Sequence, residues 1–559
     1  MINPISYIHT LRYLRPIQIY GRIWVRFHRP KPDLRPAPPL RKWDRVPADW
    51  AVRAPSMLGP DRFSFLNEEG GLTEGWNPTL HSRLWIYNLH YFDDLNAQEA
   101  WHRKEWHRGL IHRWIRENPP GKGAGWEPYP ISLRVVNWIK WILKGNKPSQ
   151  QMVQSLAVQV RYLQKRLEVH LLGNHLLANA KALIFAGRFF EGVEAEAWAK
   201  RGVRIFKREL PEQILADGGH FELSPMYHSI ILEDLLDLVN LFGSYPETSF
   251  HGLPANEAAR RMLFWLKLVC HPDGQIALFN DAAFGIAPHP ASLYAYAERL
   301  GVYAPKHPLT ATPSSEAAGL ASLSFGPANL VHLKTSGYIR VDNGPMTAIL
   351  DVAHIGSEYL SAHAHADTLS FELSLNGQRI IVDSGTSRYD EGVERLRQRG
   401  TAAHNTVFVD GKDSSEVWSS FRVANRAKAF GLEIKEVPAG SAMVRCAHDG
   451  YRRLPGKPVH WRQWDFGENS LIVRDVIEGL FTVALGHFHF HPDVYIESRN
   501  NNLFSVVLPN NKMILCHVQK GICRLTDSTY HPEFGMNCQN RCLEVQLDDD
   551  ESLILFNWS

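Results

Sequence analysis

Roughly halfway along its 559 residues the chain changes the period of its apolar residues, and that switch limits the fold more than composition does. From about residue 61 to residue 300 the spacing is helical. Val153, Leu156, Ala157, Val160, Leu163 and Leu167 recur every three or four residues, as do Ile230, Ile231, Leu235, Leu238 and Val239. Asp217-Gly218-Gly219 and Pro272-Asp273-Gly274 provide turns between such segments. Beyond Leu323 short runs (347–352, 369–375, 379–382) are separated by the hairpin dipeptides Asn343-Gly344, Asn376-Gly377 and Asp410-Gly411. A block of helices followed by a block of strands predicts an α+β multidomain chain with a cleft where its two layers meet. The expected division is a basic N-terminal arm (1–60), a stack of helical hairpins (61–304), a Pro- and Ser-rich linker (305–322) and an antiparallel β-sandwich (323–559).

Composition narrows the function classes. Hydrophobic content of 44% and charged content of 21% are ordinary for a globular protein. A net charge of +3 gives no global field of the kind nucleic acid demands, yet leaves room for a local basic cleft that takes an acidic polymer. Seventeen Trp and 18 Tyr supply flat amphipathic surfaces suited to sugars, although any single Trp is more often a core residue. The six cysteines form no CxxC pair and read as free thiols, with room for one late disulfide. In the arm, Arg12, Arg15, Arg22, Arg26, Arg29 and Lys31 are interspersed among apolar residues. No apolar run has the length of a signal peptide or a membrane span, so the expected location is cytoplasmic or non-classically exported, of bacterial type. The arm has the charge to bind an anionic surface; the expected arrangement is a helical arm that packs its Ile, Leu and Trp residues on the body.

Four segments carry candidate chemistry: Gly173-Asn174-His175 at a helix start, Glu222 to His228 before another helix, His363-Ala364-His365-Ala366-Asp367, and Asp383 with His404-Asn405. Alternation along an extended strand would place His363 and His365 on one face. One carboxylate and a third imidazole complete a nitrogen and oxygen set suited to zinc. Singly, each has a plain structural account: Asn174 as a helix cap, Tyr227 as a core residue, the two histidines as sheet residues, Asp383 as a turn former. Their joint occurrence shifts the balance. The alternating run from His487 to His491 is better explained as a strand with its phenylalanines in the core.

With Gly173-Asn174-His175, Tyr227, His363-Ala364-His365-Ala366-Asp367, Val382-Asp383-Ser384-Gly385-Thr386 and His404-Asn405 in place, the chain resembles the heparinase II/III-like polysaccharide lyases, which include heparin, chondroitin, hyaluronan and alginate lyases. The resemblance implies an incomplete (α/α) toroid followed by an antiparallel β-sandwich. It implies cleavage of a uronic-acid polymer by β-elimination, with glycosaminoglycans first and alginate or an exopolysaccharide next. Asn174 and His175 would donate to the sugar carboxylate. Tyr227, a phenol near cations, would be base, acid or both, and His363 its partner or the base for one C5 epimer. By the same resemblance His365, Asp383 and His404 are ligands of a structural Zn2+. Trp126, Glu127, Arg134 and Asn137 would lie on a cleft-lining helix, with Arg134 pairing either with a substrate anion or internally with Glu127. Glu222, Arg388 and Tyr389 would be further substrate contacts. Two other classes compete: a glycoside hydrolase using Glu127 and Glu222, and a non-catalytic polysaccharide-binding protein. The expected partner is an acidic polysaccharide, with no nucleic acid and no membrane span.

Overall fold

The computed structural model describes residues 4–43, 45–245, 253–305, 328–437 and 441–558. Apart from residue 305, the expected linker 305–322 lies outside the described residues. Helices dominate up to Pro290–Arg299, and sheets dominate from Ala328–Leu333 onward.

The helical half is built on elements whose ends are fixed chemically. Ser149 caps Gln150–Gln164 by accepting from Met152 N, and Ser224 caps Pro225–Ser244 by accepting from Tyr227 N, with Pro225 at the first helical position. Gly173–Phe189 is buried on nearly all sides among Pro128–Leu143, Val193–Gln213 and Pro225–Ser244. Small residues permit this closeness: a Cβ on Gly202 would stand 2.6 Å from Ala180 O. Trp85, Trp114, Trp138, Trp198 and Trp265 are fully buried here, so much of the tryptophan content is core.

In the β half every strand pair among the described residues is antiparallel. A five-stranded meander runs from Ala328–Leu333 to Gln378–Ile381, beside an eight-stranded and a four-stranded sheet. One apolar core joins residues of all three, including Phe371, Trp464, Phe488 and Phe556. Asn376 and Gly377, with φ of 53° and 81°, make the turn between Phe371–Leu375 and Gln378–Ile381, as their sequence predicts. In Ala484–His489, Phe488 is in the core while His487 and His489 stack on the opposite face.

Polar bonds fasten the halves together. Tyr338 Oη donates to Leu223 O (2.7 Å), Trp265 Nε1 to Ser336 Oγ (2.8 Å), and Arg379 pairs with Asp273 (2.7 Å). The arm, with helices Pro4–Leu11 and Pro16–Phe27, spans the seam: Arg15 pairs with Glu212, Gln18 Nε2 donates to Tyr359 O (3.1 Å) and Trp418 Nε1 to Thr10 Oγ1 (3.1 Å). Its expected packing is reversed. Ile17, Ile19, Ile23 and Trp24 are exposed, whereas Gln18 and Gly21 are buried, because the side facing the body is the one that can hydrogen-bond and approach closely. Among the described residues no helix is long and apolar enough to cross a membrane.

Candidate active site

A cleft of about 1750 Å³ runs along the seam and is lined from both halves and the arm. Asn174, His175, Tyr227 and His363 all line it. Asn174 is the second residue of Gly173–Phe189, preceded by Leu172 and Gly173 at φ of 63° and 52°. Gly173 is required twice over. Its φ is left-handed, and a Cβ there would stand 2.5 Å from Leu360 Cδ2 and 2.8 Å from Glu222 Oε1. Glu222 therefore sits directly against the start of the helix. Asn174 is not the capping residue; its side chain is left for the cleft.

His175 Nδ1 lies 3.1 Å from Glu168 Oε1, and its ring leans on Tyr129 at 4.5 Å. Burial alone would depress this imidazole, but Glu168 outweighs it and raises the pKa, so a cation is favoured at the cleft wall. The Tyr227 ring stacks on His363 at 3.9 Å, and its hydroxyl is 3.1 Å from Tyr389 Oη. Burial and the neighbouring Tyr389 push the Tyr227 phenol well above its ordinary value. That direction favours the neutral phenol in the free cleft, and so the acid among the roles expected of Tyr227. Arg395, whose guanidinium lies over the Tyr389 ring at 4.9 Å, is committed elsewhere.

That commitment is to Asp281, which the sequence reading missed. His363 Nδ1 meets Asp281 Oδ2 at 2.9 Å, His365 Nε2 meets Oδ1 at 2.8 Å, and Arg395 grips both oxygens at 2.5 and 2.7 Å. Burial opposes ionisation of Asp281, but Arg395 and the two imidazoles hold its pKa well below the usual carboxylate range. His363 closes a turn in which Ala364 N donates to Ser361 O, and Ala364 and His365 follow it as irregular backbone, not strand. The two histidines converge because they share one carboxylate of the helical half, not because they alternate on a sheet. Nothing in the sequence around Asn280-Asp281 marks this role, since the acid lies more than eighty residues before either histidine.

His363 Nε2 stands 3.6 Å from Glu222 Oε2. Burial raises the Glu222 carboxyl above its usual range, against the pull of His363, the Asn174 backbone N–H and His175. Asn137, Arg388 and Tyr389 also line the cleft. Asn137 Nδ2 donates to Tyr91 O (2.9 Å) and Asp93 Oδ1 (2.6 Å).

Three expected substrate contacts are corrected. Trp126 is buried, donates from Nε1 to Asn118 O (3.2 Å) and meets Tyr162 edge-on. Arg134 is fully buried, bonded to Gln159 Oε1 (2.9 Å), His90 O (3.1 Å) and Gly125 O (2.6 Å), and lies over Trp114 at 3.9 Å. It pairs with neither a substrate nor Glu127, because this face of Pro128–Leu143 points into the core. Glu127 is set back from the cleft lining and holds Arg83 and Tyr87, which do line it.

Among the described residues no three His, Cys, Asp or Glu side chains stand in metal-binding geometry. The expected ligands are nonetheless adjacent. His404 Nδ1 meets Asp383 Oδ2 at 2.7 Å, and the His365 and His404 rings are 5.2 Å apart. Among the described residues, His365 Nδ1 and His404 Nε2 are both buried without a partner.

A helical half and an antiparallel β half closing on one cleft of amide, imidazole, phenol and carboxyl groups define a heparinase-like two-part protein. Residues 81–300 match the Heparinase II/III N-terminus and residues 326–558 the Heparinase II/III-like C-terminal region, and the chain belongs to this family. It is 30% identical over 255 residues to a heparin-sulfate lyase of Bacteroides stercoris, covering 44% of this chain and 37% of that protein. It is 26% identical over 327 residues to one of Pedobacter heparinus, covering 54% and 47%. The chain thus matches less than half the length of either relative. Heparinase III is similar in structure, with a TM-score of 0.67 at 19% identity, over 87% of this chain and 80% of that one. The chondroitin AC lyase of Streptomyces coelicolor A3 has a TM-score of 0.51 at 10% identity, over 100% and 80%. These two are likenesses of fold.

Proposed function

We propose that the chain is a polysaccharide lyase that cuts a uronic-acid polymer, a glycosaminoglycan first, by β-elimination. The observation that carries this reading is that Asn174, His175, Tyr227 and His363, from two halves of the chain, line one cleft. The names of its relatives, heparin-sulfate lyases, favour the same substrate class. The same family reading makes the helical half an incomplete (α/α) toroid and the β half a sandwich.

The chemistry follows from the charges. A C5 proton beside a carboxylate is weakly acidic until that carboxylate is neutralised. The Asn174 amide and a cationic His175 are the donors for this, and removing one such donor costs about 3–4 kcal/mol of transition-state stabilisation. His363 is the base. Its Nδ1–H donates to Asp281, which fixes the tautomer and leaves Nε2 as the acceptor for the proton. Tyr227, held neutral, gives its proton to O4 as the C4–O4 bond breaks, leaving a 4,5-unsaturated uronate.

For zinc, the donor set supports the expected ligands. His365 through Nδ1 and His404 through Nε2 are the buried nitrogens without partners, and Asp383 is the neighbouring carboxylate. Asp281 would hold the far side of the His365 ring, as outer partners of ligating imidazoles do. When bound, zinc would tie three β segments together as a structural ion; elemental analysis of the purified protein tests this without reference to turnover. The hydrolase alternative loses its support, since Glu127 is engaged by Arg83 and Tyr87.

The test is a panel of hyaluronan, chondroitin sulfate, heparan sulfate and alginate, read by the ultraviolet absorbance of unsaturated uronate. Absorbance from at least one polymer is expected. Saturated products, or none from any polymer, overturn the proposal.

A further inference from the structure

The helix Pro16–Phe27 is amphipathic the wrong way round. At 100° per residue, Ile17, Ile19, Tyr20, Ile23, Trp24 and Phe27 fall on one continuous face, and each is between 42% and 77% exposed. The face turned to the body carries Gln18 and Gly21 instead, with Gly21 so close that a Cβ would stand 2.6 Å from His170 Cβ. The preceding helix adds exposed Ile8 and Leu11. A water-soluble helix ordinarily buries its apolar stripe, so this one is prepared for another apolar phase.

Charge says which. Residues 1–32 contain Arg12, Arg15, Arg22, Arg26, Arg29 and Lys31 and no Asp or Glu. Arg15 is paired with Glu212, whereas Arg22, Arg26, Arg29 and Lys31 have no ion pair among the described residues. By helical angle Arg22 and Arg26 flank the apolar face. Two such arms laid together would set cation against cation, which disfavours a second copy as the occupant. Interfacial Trp, Tyr and Phe rimmed by arginine suit the headgroup region of a bilayer carrying anionic lipid.

We infer that the N-terminal arm is an interfacial anchor that lies on an anionic lipid bilayer through Ile17, Ile19, Tyr20, Ile23, Trp24 and Phe27. The helix rests on the surface and does not cross it. Gln18 and Arg22 of the same helix line the cleft, so the anchored surface lies next to the cleft. The inference does not depend on the lyase reading.

The test is flotation of the full chain with phosphatidylcholine vesicles, with and without phosphatidylglycerol, beside the variant Ile23→Ser/Trp24→Ser/Phe27→Ser. These side chains are exposed, so the variant should keep the melting temperature of the parent, and a folded variant makes the comparison fair. Expected is binding to phosphatidylglycerol vesicles that weakens about tenfold or more at high salt and in the triple variant. No binding, equal binding to phosphatidylcholine alone, or unchanged binding by the triple variant overturns the inference. So does a dimer in analytical ultracentrifugation that the same substitutions abolish, because the face would then be a subunit interface.

Discussion

Two buried aspartates hold nearly the same partners and differ in what those partners reach. Asp475, in the β half, is gripped by Arg462 at 2.7 and 2.8 Å and by His460 at 2.7 Å, and all three side chains are shut off from solvent. Asp281 is gripped by Arg395, His365 and His363, and only the His363 side chain, 11% exposed, emerges into the cleft. In both, burial opposes the charge while guanidinium and imidazole hold the carboxyl well below its usual range. An Asp–Arg–His cluster is therefore no mark of chemistry in itself. What separates the two is whether one imidazole nitrogen is left over and faces an open cleft.

The comparison breaks first at the groups that would touch the sugar. Tyr227→Phe and His363→Ala are each expected to lower kcat by about 10²–10⁴-fold, the range for a general acid or base, with oligosaccharide affinity retained. Isothermal titration beside turnover separates the two effects, and unchanged kcat in either variant removes that residue from the chemistry. Next comes the pair of aspartates. Asp281→Asn should cost about 10²-fold or more in kcat per folded molecule, because the amide no longer fixes the His363 tautomer. Asp475→Asn should leave kcat per folded molecule within about twofold and lower stability by about 3–5 kcal/mol, the cost of breaking a buried ion pair. Equal kcat losses in both variants would erase the distinction drawn here.

The same contrast explains what could be read from sequence. The order of helices and strands was legible because period and turn dipeptides are local: Asn376-Gly377 makes its turn whatever lies around it. Asn174, His175, Tyr227 and His363 were legible as motifs, and they line one cleft. Asp281 and Arg395 were not, because nothing local distinguishes an acid that will meet two histidines across a seam from one that will be solvated. Trp126 and Arg134 were misplaced for the converse reason. Residue types that suit sugars also suit cores, and burial of Pro128–Leu143 on nearly every side decides between them. Arg134→Met should thus leave KM within about twofold while lowering stability by about 2–4 kcal/mol, as His90 O, Gly125 O and Gln159 lose a donor.

The smallest expected effect concerns the third buried carboxyl, which has what the two aspartates lack and lacks what they have. Glu222 faces the cleft but has no guanidinium partner among the described residues, so burial outweighs the pull of His363, the Asn174 backbone N–H and His175 and raises its pKa. A carboxyl whose folded pKa lies above its unfolded value, about 4.3 for Glu, binds its proton more tightly in the folded state. Its contribution to stability is complete below the unfolded pKa and is lost as pH rises through the folded one. Gln has nearly the same shape and stays neutral throughout. Glu222→Gln should therefore match the parent in melting temperature near pH 4 and exceed it by a few degrees at neutral pH, roughly 1–2 kcal/mol. The opposite slope, with the parent gaining on the variant as pH rises from about 4, would place Glu222 with Asp281 and Asp475 as a carboxylate kept charged, and the imidazole of His363 would then be the group that keeps it so.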